Sequence, residues 1–299
     1  VSRTLGKPFL AIAVVLAFSC ASPPREKPAD QKSFLWLIQF SKSRVYILGS
    51  IHVARGSIYP LRNSIEEAFR QSDTLAVEVN TTSDAPARLQ ALLLQHGTYP
   101  SGETLREKVS PQIYRVIEDR FNRLGYPVAP FERFRPWLLS VTLENLELQR
   151  LGLDAQNGID RHFLQEGQGT KRILQFETLE DQLQLFDGMT DRDQELFLRY
   201  TLFGLDHLAS QISALMDAWE RGDADALERM VAKDRSEQPE LEPMFVELIE
   251  KRNRRMFLKI QDFLKTDGNY FVVVGAAHLV GKDGLIDLLR RSGYVVEQR

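Results

Sequence analysis

The fold is decided by residues 45–56, Val45-Tyr46-Ile47-Leu48-Gly49-Ser50-Ile51-His52-Val53-Ala54-Arg55-Gly56. An apolar, partly β-branched run leads into a glycine, and a histidine follows three positions later. Residues 271–284 repeat the pattern as Phe271-Val272-Val273-Val274-Gly275-Ala276-Ala277-His278-Leu279-Val280-Gly281-Lys282-Asp283-Gly284. Each copy reads as a strand buried on both faces, a G-x-x-H step, a glycine-bearing loop and an amphipathic helix. Gly49 and Gly275 let the backbone turn as each strand ends. Both histidines then fall just past the carboxyl ends of strands, where open α/β sheets place their sites.

Outward from the first copy, Ser33 to Gln39 reads as a strand and Ser41-Lys42-Ser43 as a turn. Pro60 opens a helix with Leu61, Ile65, Ala68 and Phe69 on one face, and residues 74–79 return as a strand. Residues 45–79 therefore form a β–α–β unit, expected to be parallel and right-handed. From 83 to 165 the pattern is mostly helical, with helices opening at Ser110-Pro111, at Pro136 and after Gly158. Residues 171–177 read as a strand ending on an acid. Residues 190–220 read as one long amphipathic helix, Asp223 caps the next, and 244–264 form another. Strand 270–274, helix 284–292 and strand 294–297 close the chain. The fold class is α/β: a mixed, largely parallel sheet with flanking helices. One domain, 33–299, carries a large helical insertion, about 83–265, between the two G-x-x-H units.

A chain of 299 residues with 43% hydrophobic content has material for a sizeable core. A net charge of −3 and a pI near 6.0 leave no basic footprint, so no nucleic-acid partner is expected. No apolar stretch reaches the ~18 residues of a membrane span. Arg3 and Lys7 precede an apolar run, Pro8 to Phe18, and then Ser19-Cys20-Ala21. That is the layout of an export signal over residues 1–21. Cys20, the single cysteine, stands where a lipoprotein signal places its modified residue, which would anchor the protein at a membrane of the cell envelope. Ordinary cleavage after Ala21 is the alternative. The polar, Pro-rich stretch 22–32 reads as a tether. No cysteine is left to serve as a nucleophile.

Four side chains fall at expected strand ends: His52, Glu78, Glu177 and His278. The strands of a parallel sheet end on one edge, which brings these residues within reach of one another. Two imidazoles with one or two carboxylates form a donor set for Zn²⁺, Mn²⁺, Co²⁺ or Fe²⁺. Such an ion lowers the pKa of bound water and polarises a carbonyl, and a carboxylate off the metal acts as base. Glu78 lies between Val77 and Val79 in a strand expected to be buried, where an acid needs a cation. Glu177 has a second reading as an acid favouring the N-terminus of the following helix. His96, His162 and His207 read as structural, Asp160 as a possible cap, and Arg252-Asn253-Arg254-Arg255 as a solvated helix face. There is no Walker A, G-x-G-x-x-G, H-E-x-x-H or G-x-S-x-G motif.

The chain resembles the TraB/GumN family, which includes the Tiki membrane metalloproteases and is distantly similar to erythromycin esterases and ChaN-like haem-binding proteins. The resemblance rests on Gly49-Ser50-Ile51-His52 with Tyr59-Pro60-Leu61, Ala76-Val77-Glu78, Arg135-Pro136-Trp137 and Gly158-Ile159-Asp160 with His162-Phe163. It continues through Phe176-Glu177-Thr178 with Gln182-Leu183, Arg252-Asn253 and Gly275-Ala276-Ala277-His278-Leu279. The resemblance implies that His52 and His278 are the two G-x-x-H histidines and Glu78 the acid after the second strand. In Tiki proteins these positions go with divalent-metal-dependent peptidase activity. Ser50 stands where the motif commonly has Thr and keeps the hydroxyl.

The expectation is an exported, divalent-metal-dependent hydrolase, most simply a peptidase. The ion (Mn, Co or Zn) falls to His52, His278 and Glu78, with Glu177 or Asp160 as second carboxylate or base. Arg252 or Asn253 steadies the substrate or its oxyanion. The alternative is an envelope protein that binds haem, a metal or a signalling peptide without turnover. A third reading is an esterase acting on a small molecule.

Overall fold

The computed structural model describes residues 32–81 and 86–299. The expected export signal, Cys20 and nearly all of the tether lie outside those residues. Six strands form one sheet: β1 (Leu35–Phe40), β2 (Ser43–Ser50), β3 (Thr74–Val77), β4 (Arg172–Gln175), β5 (Asn269–Gly275) and β6 (Val296–Gln298). Their order is β4-β3-β5-β2-β1-β6. β4, β3, β5 and β2 run parallel, while β1 pairs antiparallel with both β2 and β6. The expected mixed, largely parallel α/β sheet is present. β2 and β3 are parallel, as expected of the 45–79 unit, but they are not neighbours. β5 lies between them, so the two G-x-x-H strands pair directly, with Ser50 opposite Gly275.

The helices are α1 (Asn63–Arg70), α2 (Pro86–Gly97), α3 (Leu105–Lys108), α4 (Pro111–Leu124), α5 (Pro136–Arg150), α6 (Ile159–Gly167) and α7 (Leu179–Asp187). They continue with α8 (Asp191–Gly204), α9 (Leu208–Glu220), α10 (Ala224–Glu237), α11 (Glu242–Phe245), α12 (Lys251–Leu264) and α13 (Leu285–Arg291). Ser110 caps α4 and Asp223 caps α10, each accepting a backbone N–H from the first turn, as the sequence indicated. Two expectations change. α1 begins at Asn63 rather than Pro60, because Arg62 is extended, although Leu61 is buried all the same. The run 190–220 is two helices, and His207 stands in the break as the N-cap of α9. Gly204, a weak helix former, ends α8 there, and the turn takes both Leu205 and Leu208 into the core.

The core has distinct parts. One surrounds the sheet and takes in Phe34, Ile47, Leu75, Phe163, Val272 and Met256. A second lies mostly among helices of the middle segment, around Leu105, Ile117, Phe121, Leu139, Leu198 and Leu202. Burial of this second set lets the long middle segment order itself beside the sheet. Among the described residues no helix is long and apolar enough to cross a membrane.

Candidate functional site

Each site residue is carried to the carboxyl edge of the sheet by the end of a strand or the start of a helix. β2 ends at Ser50, and His52 lies two residues beyond it. The backbone there is pinned by α6, since Ile159 N–H donates to the Ile51 carbonyl at 3.0 Å. The approach is so close that a Cβ on Gly158 would lie 2.4 Å from the His52 carbonyl oxygen, so only glycine fits there. Asp160, in the first turn of α6, then reaches His52 Nδ1 at 3.1 Å.

β3 and β4 end side by side. Phe176 N–H donates to Val77 O and Glu177 N–H to Glu78 O, both at 2.9 Å, which sets the two glutamates next to each other. The helix after Glu177 does not use it as a cap. Thr178 and Asp181 form a reciprocal capping box, which leaves Glu177 free to face the site. β5 ends at Gly275, and the following 3₁₀ turn (Ala276–His278) delivers His278.

Arg252 joins these groups. It sits in the first turn of α12, whose buried face also includes Asn253, Met256, Ile260 and Leu264. Directly before it runs a π-helical segment, Val246–Glu250, a widened turn often found at functional sites. Arg252 is only 8% exposed. Its Nε donates to both oxygens of Glu177 at 3.0 Å, its Nη2 donates to Glu78 Oε2, and its Nη1 donates to Leu248 O at 3.1 Å. Nη1 also lies 3.1 Å from His278 Nε2. The planar fork of donors suits arginine to this place, where lysine would supply the charge without the fork. The surface reading of Arg252 and Asn253 is therefore overturned: both are buried against the sheet edge.

Protonation follows from these contacts. Asn253 Nδ2 donates to Asp283 O at 2.7 Å, which turns its Oδ1 toward His278 Nδ1, also at 2.7 Å. His278 Nδ1–H donates there, and Nε2 accepts from Arg252. Burial first of all, with the charge of Arg252, pulls His278 down to about 4 against the pull of Glu78, so it is neutral at neutral pH. Burial by itself would raise Glu78, but the charges of His278 when protonated, of Arg252 and of His52, with the Gly275 N–H, which donates to Oε1 at 2.6 Å, hold it below its usual range. With His278 neutral, Arg252 is the main cation that keeps Glu78 ionised. Burial opposes charge on His52, yet the hydrogen bond and charge of Asp160, with Glu78 adding, hold it up at about 9. The His52 ring is 62% exposed, so solvent weakens the effects of burial and of Asp160 alike, and the direction of the shift is upward.

The groups face one point. A Cβ built on Gly275 would lie 3.4 Å from both His52 Nε2 and Glu78 Oε1, and 3.5 Å from His278 Cδ2. Ser50 pairs with Gly275 across the ladder, and paired residues project to the same face. Its hydroxyl is buried and, among the described residues, has no hydrogen-bond partner. Residues the sequence reading gave no role complete the surroundings. Gln182 Nε2 lies 3.5 Å from Glu78 Oε2, and Arg255 Nη2 lies 3.4 Å from Glu177 Oε1. Trp219 Nε1–H donates to Gly49 O at 2.6 Å. Only Gln182 had a signal, its place in a stretch resembling the family. His96 bonds Asp187 at 3.0 Å, and His162 packs on the Tyr59 ring with centroids 4.6 Å apart, so neither joins the site.

Fold and site together define an α/β protein with a charged cluster at the carboxyl edge of its parallel strands, built from two G-x-x-H histidines, two glutamates and one arginine. The chain belongs to the TraB/PrgY/gumN family, whose model matches residues 34–298. It is 26% identical over 249 residues to YbaP of Escherichia coli (strain K12), covering 82% of this chain and 87% of that one. It is 24% identical over 323 residues to the metalloprotease TIKI1 of Xenopus tropicalis, covering 91% of this chain and 62% of TIKI1. A protein of Treponema pallidum (strain Nichols) is 23% identical over 305 residues, covering 95% of this chain and 90% of that one. The chain thus spans less than two thirds of TIKI1. No solved structure matches it significantly.

The expected metal ligands, His52, His278 and Glu78, converge, and their chemistry suits a divalent ion. Their arrangement does not. Among the described residues no group of three or more His, Cys, Asp or Glu side chains is placed to hold a metal. His278 Nε2, Glu78 Oε2 and Glu177 are all engaged by Arg252. As arranged, the cluster holds a guanidinium.

Proposed function

We propose that this protein is a peptide hydrolase whose reaction centre is the point above Gly275. The observation that carries this reading is the convergence of His52 Nε2 and Glu78 Oε1 on that point, each 3.4 Å from the position a Cβ would take. The metalloprotease names of the TIKI relatives support peptide as the substrate class. At neutral pH the two groups are complementary. His52 is an imidazolium whose Nδ1 side is held by Asp160, leaving Nε2–H to polarise a carbonyl oxygen or protonate a departing amine. Glu78 is a carboxylate that orients a water or an amide N–H rather than a strong base, because the cations around it and the Gly275 N–H hold its pKa down. Arg252 positions Glu78, Glu177 and His278, and Asn253 fixes the tautomer of His278. Export, and an anchor on Cys20, belong to the proposal on the strength of residues 1–24 alone.

The relatives' names also support a divalent ion, which enters this cluster only by taking His278 from Arg252. The test is metal content and peptide cleavage measured together on wild type and His52→Ala, purified without chelator or His-tag, then reloaded with Mn²⁺, Co²⁺ or Zn²⁺. Cleavage that follows a near-stoichiometric ion lost in His52→Ala makes the protein a metallopeptidase. Cleavage without an ion leaves the imidazolium and carboxylate as the working pair. No cleavage of any peptide under any loading ends the hydrolase reading in favour of a binding protein.

A further inference from the structure

We propose that the Ser50 hydroxyl belongs to the reaction centre, where it and Glu78 together hold the water that enters above Gly275. For its kinetic consequence the inference rests on the peptide-hydrolase reading above. Ser50 closes β2 and is only 3% exposed, yet its Oγ has no hydrogen-bond partner among the described residues. A hydroxyl buried without a partner is unfavourable, and each such group calls for an explanation.

The ladder says where the missing partner belongs. Ser50 is the register partner of Gly275, so its side chain leaves the sheet on the same face, ~4.7–4.9 Å away across the strands. On that face a Cβ on Gly275 would lie 3.4 Å from both His52 Nε2 and Glu78 Oε1. Two positions back along the two strands, the same face carries Leu48 and Val273, both buried and apolar. Gly49, between Leu48 and Ser50, projects to the opposite face, against Phe34. On the β1 side, the Ser33 hydroxyl is already paired with Ser64 at 2.7 Å. The polar groups left for Ser50 are those of the site.

A buried water needs two to four polar partners. Glu78 Oε1 accepts the Gly275 N–H and keeps a lone pair for a water hydrogen. Ser50 Oγ accepts the other hydrogen. His52 Nε2–H stands beside them for the carbonyl oxygen of a bound peptide. Ser50 does not itself serve as nucleophile, because no base bonds its Oγ and His52 is an imidazolium.

The test combines kinetics, thermal unfolding and high-resolution crystallography on the full-chain wild type, Ser50→Ala and Ser50→Thr. In wild type, an ordered water is expected within hydrogen-bond distance of both Ser50 Oγ and Glu78 Oε1, and Ser50→Ala loses it. Ser50→Ala should lower kcat on peptides by about 100-fold, with KM changed by less than about twofold. Its Tm should equal or exceed that of wild type, since no bond within the protein is lost. Ser50→Thr keeps the hydroxyl and should recover most of the lost kcat. An unchanged kcat in Ser50→Ala, or a fall in Tm alongside kcat, overturns the proposal. So does a wild-type Oγ that shares no water with Glu78. If wild type cleaves no peptide, the hydrolase reading has failed and the crystallographic comparison decides alone. A shared water lost in Ser50→Ala then keeps Ser50 in the site, and its absence from wild type removes it.

Discussion

Arg252→Met is the most informative perturbation, because one side chain balances two buried carboxylates. Glu78 is 9% and Glu177 5% exposed. Without Arg252 the nearest remaining cation of Glu177 is Arg255 at 3.4 Å, whose side chain is 56% exposed. Breaking a buried ion pair by removing one partner costs about 3–5 kcal/mol, because the remaining charge stays uncompensated. At ~2–4 °C per kcal/mol that lowers Tm by roughly 10 °C. The loss depends on pH with a definite sign. The folded pKa of Glu78 is depressed below its usual 4.5, so its contribution is complete above 4.5 and is lost as pH falls through the folded value. The assay is urea unfolding followed by circular dichroism for wild type, Arg252→Met and Arg252→Lys, at neutral pH and in acid. The gap between wild type and Arg252→Met is expected to narrow on acidification. Arg252→Lys should fall between them, since one ammonium keeps the charge without the fork. An Arg252→Met protein within about 1 kcal/mol of wild type at neutral pH, the scale of a surface pair, would refute the reasoning.

Gly275→Ala places a methyl 3.4–3.5 Å from the His52, Glu78 and His278 side chains. It should fold with stability within about 1 kcal/mol of wild type, yet lose roughly 100-fold in peptide turnover by displacing the reacting groups. Unchanged kinetics would move the reaction centre elsewhere. Asp160→Asn removes the partner that holds His52 up at about 9. His52 is protonated below that value, so the alkaline fall in kcat/KM should shift toward neutral pH in the variant, and an unmoved alkaline limb would exclude His52 as the charged donor. Trp219→Phe deletes the buried donor to Gly49 O and should cost about 1–3 kcal/mol. A denaturation midpoint equal to that of wild type would mean the bond contributes nothing to folding.

Much of the scaffold was legible in the sequence. The two apolar runs ending in Gly49 and Gly275, the alternation of strand and helix, and the proline-led and Asp223-capped helices all report local burial and local backbone chemistry. They read correctly because those properties are written within a few neighbouring residues. The boundaries that moved, at Pro60–Asn63 and at Leu205–His207, are places where tertiary burial competes with local pattern. The family followed from short motifs whose order runs along the chain, and the model match over residues 34–298 agrees.

The sequence by itself determined which side chains end up at the carboxyl edge: His52, Glu78, Glu177 and His278 each follow a strand, and parallel strands share that edge. Only the tertiary structure decided what these groups meet there. Glu78 and Arg252 stand 174 residues apart, and α12 reads in isolation as a helix with a solvated basic face. Packing α12 on the sheet turns Arg252 inward, seats a guanidinium between two carboxylates and an imidazole, and leaves His52 with Asp160 at the open side. Local pattern encodes whether a residue is buried. The identity of the partner that makes burial of a charge tolerable is set by distant segments arriving together, and no window of sequence contains both.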